Sequence, residues 1–236
     1  MTTIHSTNQL PIAQSHSNSS KDSATNNCCC TLIAKVVNAL VSSIFFLIDM
    51  VYTGIKNLLS AMGCYSSSGK VIDFYRGTSS NPSGVTLNEI WSWNDQKLES
   101  VHDYIQWLFP TKNPSDFNSN APLLDQETIQ AFRNDAQLRA NLLHSFKRML
   151  AFYGLQLNET TMQISRAPNH LSRQAVWLTS GNHNFRRITR IMTSLSTLGL
   201  KPQAQSLFHA VHSIAQQEGR SVVGSGTLAH WRKAIQ

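Results

Sequence analysis

The sequence predicts an all-α protein, a multi-helix bundle with one long N-terminal apolar helix. Three observations predict it. Apolar residues recur at three- and four-residue spacing in segment after segment. Capping residues open these segments, and Gly or Pro closes them. No strong strand pattern appears anywhere along the chain.

The chain has 236 residues, room for one domain of about 150 residues and an extension. Residues 1–30 are expected to be a disordered polar N-terminus, because Ser, Thr, Asn and Gln dominate them without an apolar period. They lack the basic start of a signal peptide. Residues 31–65 are an apolar segment. Ile33, Val37, Leu40, Ile44, Leu47, Val51, Ile55, Leu58 and Met62 form one stripe of a helix. Lys35, Asn38, Ser42, Asp49, Thr53, Lys56 and Ser60 form the other face, interrupted by Phe45 and Phe46. The uncharged run reaches only from Val36 to Ile48, and a span of about 20 residues takes in Asp49. Such a helix spans a bilayer with Asp49 partnered, lies on it, or packs in water as a core or coiled-coil helix. Membrane association through residues 31–62 is expected, with the main domain in a reducing, cytoplasmic compartment.

Four cysteines, Cys28, Cys29, Cys30 and Cys64, flank this segment. Near a membrane they are candidates for S-acylation. Three adjacent cysteines do not make a CxxC metal site, and none lies beyond position 64 to build a disulfide framework.

Residues 66–70 read as a linker and 71–236 as a helical domain. Thr86 and Glu89 make a capping box for a short helix through Trp93. A helix over 97–109 carries Leu98, Val101, Ile105 and Leu108 on one side, and Pro110 stops it. Asp125 and Asp135 cap helices near 126–133 and 136–153, the second closed by Gly154. Residues 155–165 read as a small hairpin or an irregular turn. Helices follow from Pro168-Asn169 to Leu178, from a cap at Asn182 to Leu198, from Pro202 through Ile214, and over Thr227–Ile235.

Net charge is +7, unevenly spread. Residues 71–138 hold nine acids and four bases, whereas 139–190 hold eight bases and one acid. Either the two halves neutralise each other in the fold, or the basic half meets an anionic partner.

Three runs carry a family resemblance. They are Phe74-Tyr75, the run from Leu98 to Pro110 containing Tyr104-Ile105-Gln106-Trp107-Leu108-Phe109-Pro110, and the run His183-Asn184-Phe185-Arg186-Arg187-Ile188-Thr189-Arg190-Ile191. Their order and spacing over residues 71–210 resemble the conserved domain of the opioid growth factor receptor. Asn94, Gln96 and Arg186 depart from its pattern. The resemblance implies a non-enzymatic receptor-like protein that binds a small opioid-type peptide, Met-enkephalin in the vertebrate members. It supplies no catalytic residue set.

The residues themselves nominate ligand contacts. His183, Arg186, Arg187 and Arg190 fall on one face in the first turns of a helix, where the helix dipole also favours anions. His183, Arg187 and Arg190 are the candidates for a peptide carboxylate, which a guanidinium holds bidentately. The other possibility is pairing with acids of the first half, such as Glu99 or Asp103. Tyr104 and Trp107 are candidates for the aromatic part of a peptide, against core packing as the default. Glu99 and His102 have the spacing of half a di-iron site, but no second copy exists, so a structural His102 is expected. A nucleic-acid reader would carry more lysines and exposed aromatics beside this helix. No nucleotide loop, GxSxG, HExxH or Cys–His pattern is present, so neither enzyme chemistry nor a cofactor is expected. The alternative function is a membrane-tethered scaffold that binds protein or acidic lipid through the basic face 183–190.

Overall fold

The computed structural model describes residues 22–61, 67–115, 118–218 and 221–236. The chain forms two compact units, residues 1–62 and 63–236. The first unit holds one helix, α1 (Asp22–Ala61). It begins inside the stretch expected to be disordered; once an apolar helix is nucleated, each added residue gains a hydrogen bond. The expectation for residues 1–21 lies outside the described residues, as does that for Cys64. Val36, Leu40, Ile44, Leu47, Val51 and Ile55 are all exposed. Ala34–Tyr52 is long and apolar enough to cross a membrane.

The second unit is helical apart from one small hairpin. Its first helix, α2 (Ser67–Arg76), replaces most of the expected linker over 66–70. The buried side chains Val71, Phe74 and Tyr75 hold this helix from its C-terminal half. In α3 (Leu87–Ser92) the capping box forms in both directions, with the Thr86 amide donating to Glu89 Oε2 at 2.7 Å. The single helix expected over 97–109 is broken into α4 (Asp95–Ser100) and α5 (Ile105–Leu108). Asn94 caps α4 by accepting from the Lys97 amide at 2.8 Å.

Two longer helices follow, α6 (Gln126–Asn134) and α7 (Ala136–Tyr153), with Asp125 and Asp135 accepting amide hydrogen bonds at their starts. Residues Leu155–Leu157 (β1) and Ile164–Arg166 (β2) pair antiparallel, so 155–165 is a hairpin, with Leu155 opposite Arg166. The remaining helices are α8 (His170–Trp177), α9 (Asn184–Thr197), α10 (Lys201–Gln217) and α11 (Ser225–Ala234). Asn182 lies one residue before the cap position of α9. Its Oδ1 accepts from the Asn184 amide at 2.9 Å, and its Nδ2 donates to Val176 O at 2.9 Å. It therefore ties the end of α8 to the start of α9.

Helices α2, α6 and α7 pack on one another, and α9 packs on α10 and α11. Aromatic rings fill the core between them. Phe74 meets Trp107 edge-on at 5.4 Å, and Tyr75 meets Phe132 at 4.9 Å. The buried indoles find acceptors, Trp177 at Tyr153 O (3.0 Å) and Trp231 at Phe185 O (3.1 Å). Such satisfaction matters because an unpaired buried N–H costs about 1–3 kcal/mol. The acidic and basic halves meet as well. Asp95 pairs with Arg148 at 2.8 Å and with Arg173 at 3.4 Å.

Gly154 ends α7 at φ 74°, and a Cβ there would lie 2.7 Å from His170 Cα. The site therefore excludes a side chain twice, by backbone conformation and by space. Gly77 has a similar φ of 75° but open surroundings. Gly77→Ala is expected to cost about 1 kcal/mol, the left-handed backbone penalty alone. Gly154→Ala should cost clearly more, and thermal unfolding of the two variants side by side measures the difference.

Candidate functional site

The run from Leu98 to Phe109 leaves α4, turns, and enters α5. Its break exposes backbone carbonyls that a continuous helix would have used. One side chain of α9 takes them. Arg187 Nη1 donates to Leu98 O at 3.0 Å, and Nη2 donates to Val101 O at 2.9 Å and Glu99 O at 3.3 Å. Nη2 also reaches His102 Nδ1 at 3.2 Å, and Nη1 reaches Asn184 Oδ1 at 3.3 Å. The Glu99 carboxylate lies 3.7 Å from Nη1 and supplies the counter-charge. Arg187 is 5% exposed. Its fork geometry is what lets one cation satisfy several carbonyls at once.

Tyr104 closes the arrangement from below. Its hydroxyl donates to Leu98 O at 3.0 Å, and the guanidinium of Arg187 stands 5.6 Å from its ring centre. Burial pushes the Tyr104 phenol up to about 12, with Arg187 opposing, so it stays a neutral donor. One turn further along α9, Arg190 Nη1 donates to Phe109 O at 3.2 Å. Burial holds its guanidinium below the ordinary arginine value.

The surface of this cluster is formed by Glu99, His102 and His183. His183 Nε2 lies 3.3 Å from Glu99 Oε1, and the two imidazole rings meet edge-on at 5.3 Å. Asn184 Nδ2 donates to Glu99 Oε2 at 3.1 Å. Asn184 is fully buried and links Glu99 to Arg187. The sequence reading passed over it; its position three residues before Arg187 was the available signal. Partial burial holds His183 below its ordinary value, helped by Arg187 and opposed by Glu99. At neutral pH its contact with Glu99 is therefore that of an uncharged imidazole beside a carboxylate rather than an ion pair.

The five nominated residues thus occupy different levels. His183 is at the surface, Arg187 and Tyr104 lie beneath it, and Arg190 is partly buried under Phe109 O. Trp107 is 5% exposed and packs on Phe74, so Tyr104 and Trp107 line the core rather than an open groove. Glu99 and His102, spaced as a half metal site, instead accept hydrogen bonds from Asn184 and Arg187. Among the described residues no group of three or more His, Cys, Asp or Glu could hold a metal ion.

Fold and site together define a class: a helical domain with a buried arginine fastening a broken helix, in a chain that also carries a long apolar helix. Residues 66–235 match the family described as the opioid growth factor receptor (OGFr) conserved region, and the chain belongs to that family. It is 38% identical over 133 residues to opioid growth factor receptor-like protein 1 of Xenopus tropicalis, covering 54% of this chain and 26% of that protein. It is 40% identical over 124 residues to the opioid growth factor receptor of Mus musculus, covering 51% of this chain and 19% of that one. The human receptor is 36% identical over 124 residues, covering 51% of this chain and 18% of that protein. The chain thus matches between 18% and 26% of these relatives' own length. No solved structure matches it.

Two predictions test this geometry. Arg187→Met leaves several buried acceptors and Glu99 without their donor, and should destabilise the domain by about 3–5 kcal/mol. Arg187→Lys keeps the charge without the fork and should recover little of it. Urea unfolding midpoints measure both. The second concerns pH. The unfolded His183 titrates near 6.5, the folded one lower. Above that value it contributes nothing. As pH falls through 6.5 the unfolded chain takes the proton first, and stability is lost. His183→Gln should flatten the fall in melting temperature between about pH 6.5 and 5.5. The acid-side loss from Glu89, whose carboxylate the Thr86 amide holds below 4.5, should remain.

Proposed function

We propose that this chain is a non-catalytic binding protein that takes a small opioid-type peptide at the Glu99–His183 surface, with its apolar helix associated with a membrane. The carrying observation is that Glu99 and His183 are accessible yet held from behind by Asn184 and Arg187. A carboxylate fixed in place before binding loses little entropy when a peptide ammonium arrives. The names of the relatives support a receptor role. His183 is then the contact residue of the five nominated, and Arg187, Tyr104, Trp107 and Arg190 hold the surface from below. The apolar span supports membrane association, and the lack of cysteine in residues 71–236 fits a reducing, cytoplasmic side for the helical domain.

A second observation favours an anionic partner instead. Helices α9, α10 and α11 contain no acid, while Arg186, Lys201, Arg232 and Lys233 are exposed on them. A membrane-tethered scaffold that binds acidic lipid or protein through this layer is the alternative reading.

The full chain in nanodiscs, titrated with Met-enkephalin and followed by tryptophan fluorescence, separates the two. The peptide reading expects saturable binding that a scrambled peptide does not reproduce. Glu99→Gln should weaken it about tenfold, or about 1.4 kcal/mol. Absence of binding at any salt concentration, together with salt-sensitive capture of anionic lipid, would replace this reading with the scaffold.

A further inference from the structure

The 19 residues Ala34–Tyr52 of α1 rise about 28 Å at 1.5 Å per residue, close to the hydrocarbon thickness of a bilayer. Their polar side chains are not scattered. At roughly 100° per residue, Lys35, Asn38, Ser42 and Asp49 fall within an arc of about 60°. The remaining surface is almost wholly apolar, with Val36, Val37, Leu40, Val41, Ile44, Leu47, Ile48, Met50 and Val51 exposed on it. Ser43, about 80° beyond the arc on the apolar side, satisfies its own hydroxyl at Ala39 O, 2.8 Å away.

An arc this narrow does not suit a helix lying at an interface, which exposes a broad charged face to water. It suits a helix surrounded by hydrocarbon with one polar seam. Near the mid-depth of the span sits Ser42, and Asn38 is one turn away. There an amide without a partner faces lipid tails that offer none. Asn38 carries both donors and an acceptor, so it is complementary to a second asparagine. The spacing 35, 42, 49 is a heptad, the repeat that keeps one stripe in contact along a left-handed helix pair. Asp49 lies near the end of the span, where water reaches it.

We propose that α1 pairs with α1 of a second copy of this chain within the bilayer, through the seam of Asn38 and Ser42, with Lys35 and Asp49 reaching water toward the two ends of the span. The inference rests on the membrane reading above. Identical chains with identical flanking charges insert the same way round, so the two helices run parallel. Asn38 then faces Asn38 of the second copy and the hydroxyls of Ser42 meet one turn on. The apolar face turns to lipid.

The test uses the full chain with its four native cysteines replaced by serine, expressed in membranes. Carbonate extraction first asks whether it is embedded. Ser42→Cys and Ile44→Cys are then oxidised in the embedded fraction. The seam expects a disulfide-linked dimer from Ser42→Cys and little from Ile44→Cys. Asn38→Leu added to Ser42→Cys should lower the dimer yield several-fold without changing extraction. Release by carbonate would overturn the membrane reading and the pairing with it. An embedded chain that crosslinks through Ile44→Cys, or through neither position, would overturn the pairing and leave the membrane reading standing.

Discussion

The helical domain depends on one buried guanidinium. Arg187 stands where α4 has ended too early, and it replaces the amides that a longer helix would have supplied. A cation is normally expensive to bury. Here the cost is offset by close backbone acceptors, the ring of Tyr104 and the carboxylate of Glu99. Removing water from these groups also fixes their positions. The break in the helix, the inward turn of Tyr104 and the orientation of Glu99 are consequences of the same contact.

This dependence explains the division of labour along α9. Phe185 and Ile188 are held in the core, with Trp231 of α11 donating to Phe185 O. Arg187 and Arg190 reach the other way, each ending on a carbonyl of the 98–109 run. The helix thus acts as a bar between the aromatic core and the broken helix. At its start, His183 meets solvent beside the Glu99 carboxylate, and the buried Asn184 donates to that carboxylate from within. A face that is basic in sequence becomes, in three dimensions, a set of backbone fastenings with a small polar rim.

Much of the fold was legible because its determinants are local. The Thr86–Glu89 box, the Asp135 cap and the Gly154 stop each act within a few residues, and helices formed where they pointed. The resemblance carried by the 98–110 and 183–191 runs led to the right family. The break at 101–104 was not legible. Periodicity records which side chains face the core, and Leu98, Val101, Ile105 and Leu108 satisfy a helix pattern well. What divides them is a hydrogen-bond donor 86 residues away from Val101, which no local pattern contains. The same limit hid the fate of Tyr104 and Trp107. Aromatic spacing fits a surface groove as readily as a core, and only the partners on α2 and α9 decide between them. The charge split between the halves was legible, and Asp95 with Arg148 and Arg173 accounts for part of its neutralisation.

The distance in sequence between donor and acceptor also sets an order of events during synthesis. The carbonyls of Leu98 and Phe109 wait for arginines that follow them by 89 and 81 residues. A ribosome adding about 5–20 residues per second needs roughly 4–18 s to cover that gap. Throughout that interval the stretch containing Ile105, Trp107, Leu108 and Phe109 has left the ribosome without the element that finishes its turn. Its apolar side chains are then open to other nascent chains and to chaperones. Closure of the domain is therefore a late event, gated by the emergence of α9 rather than by formation of the helices that precede it.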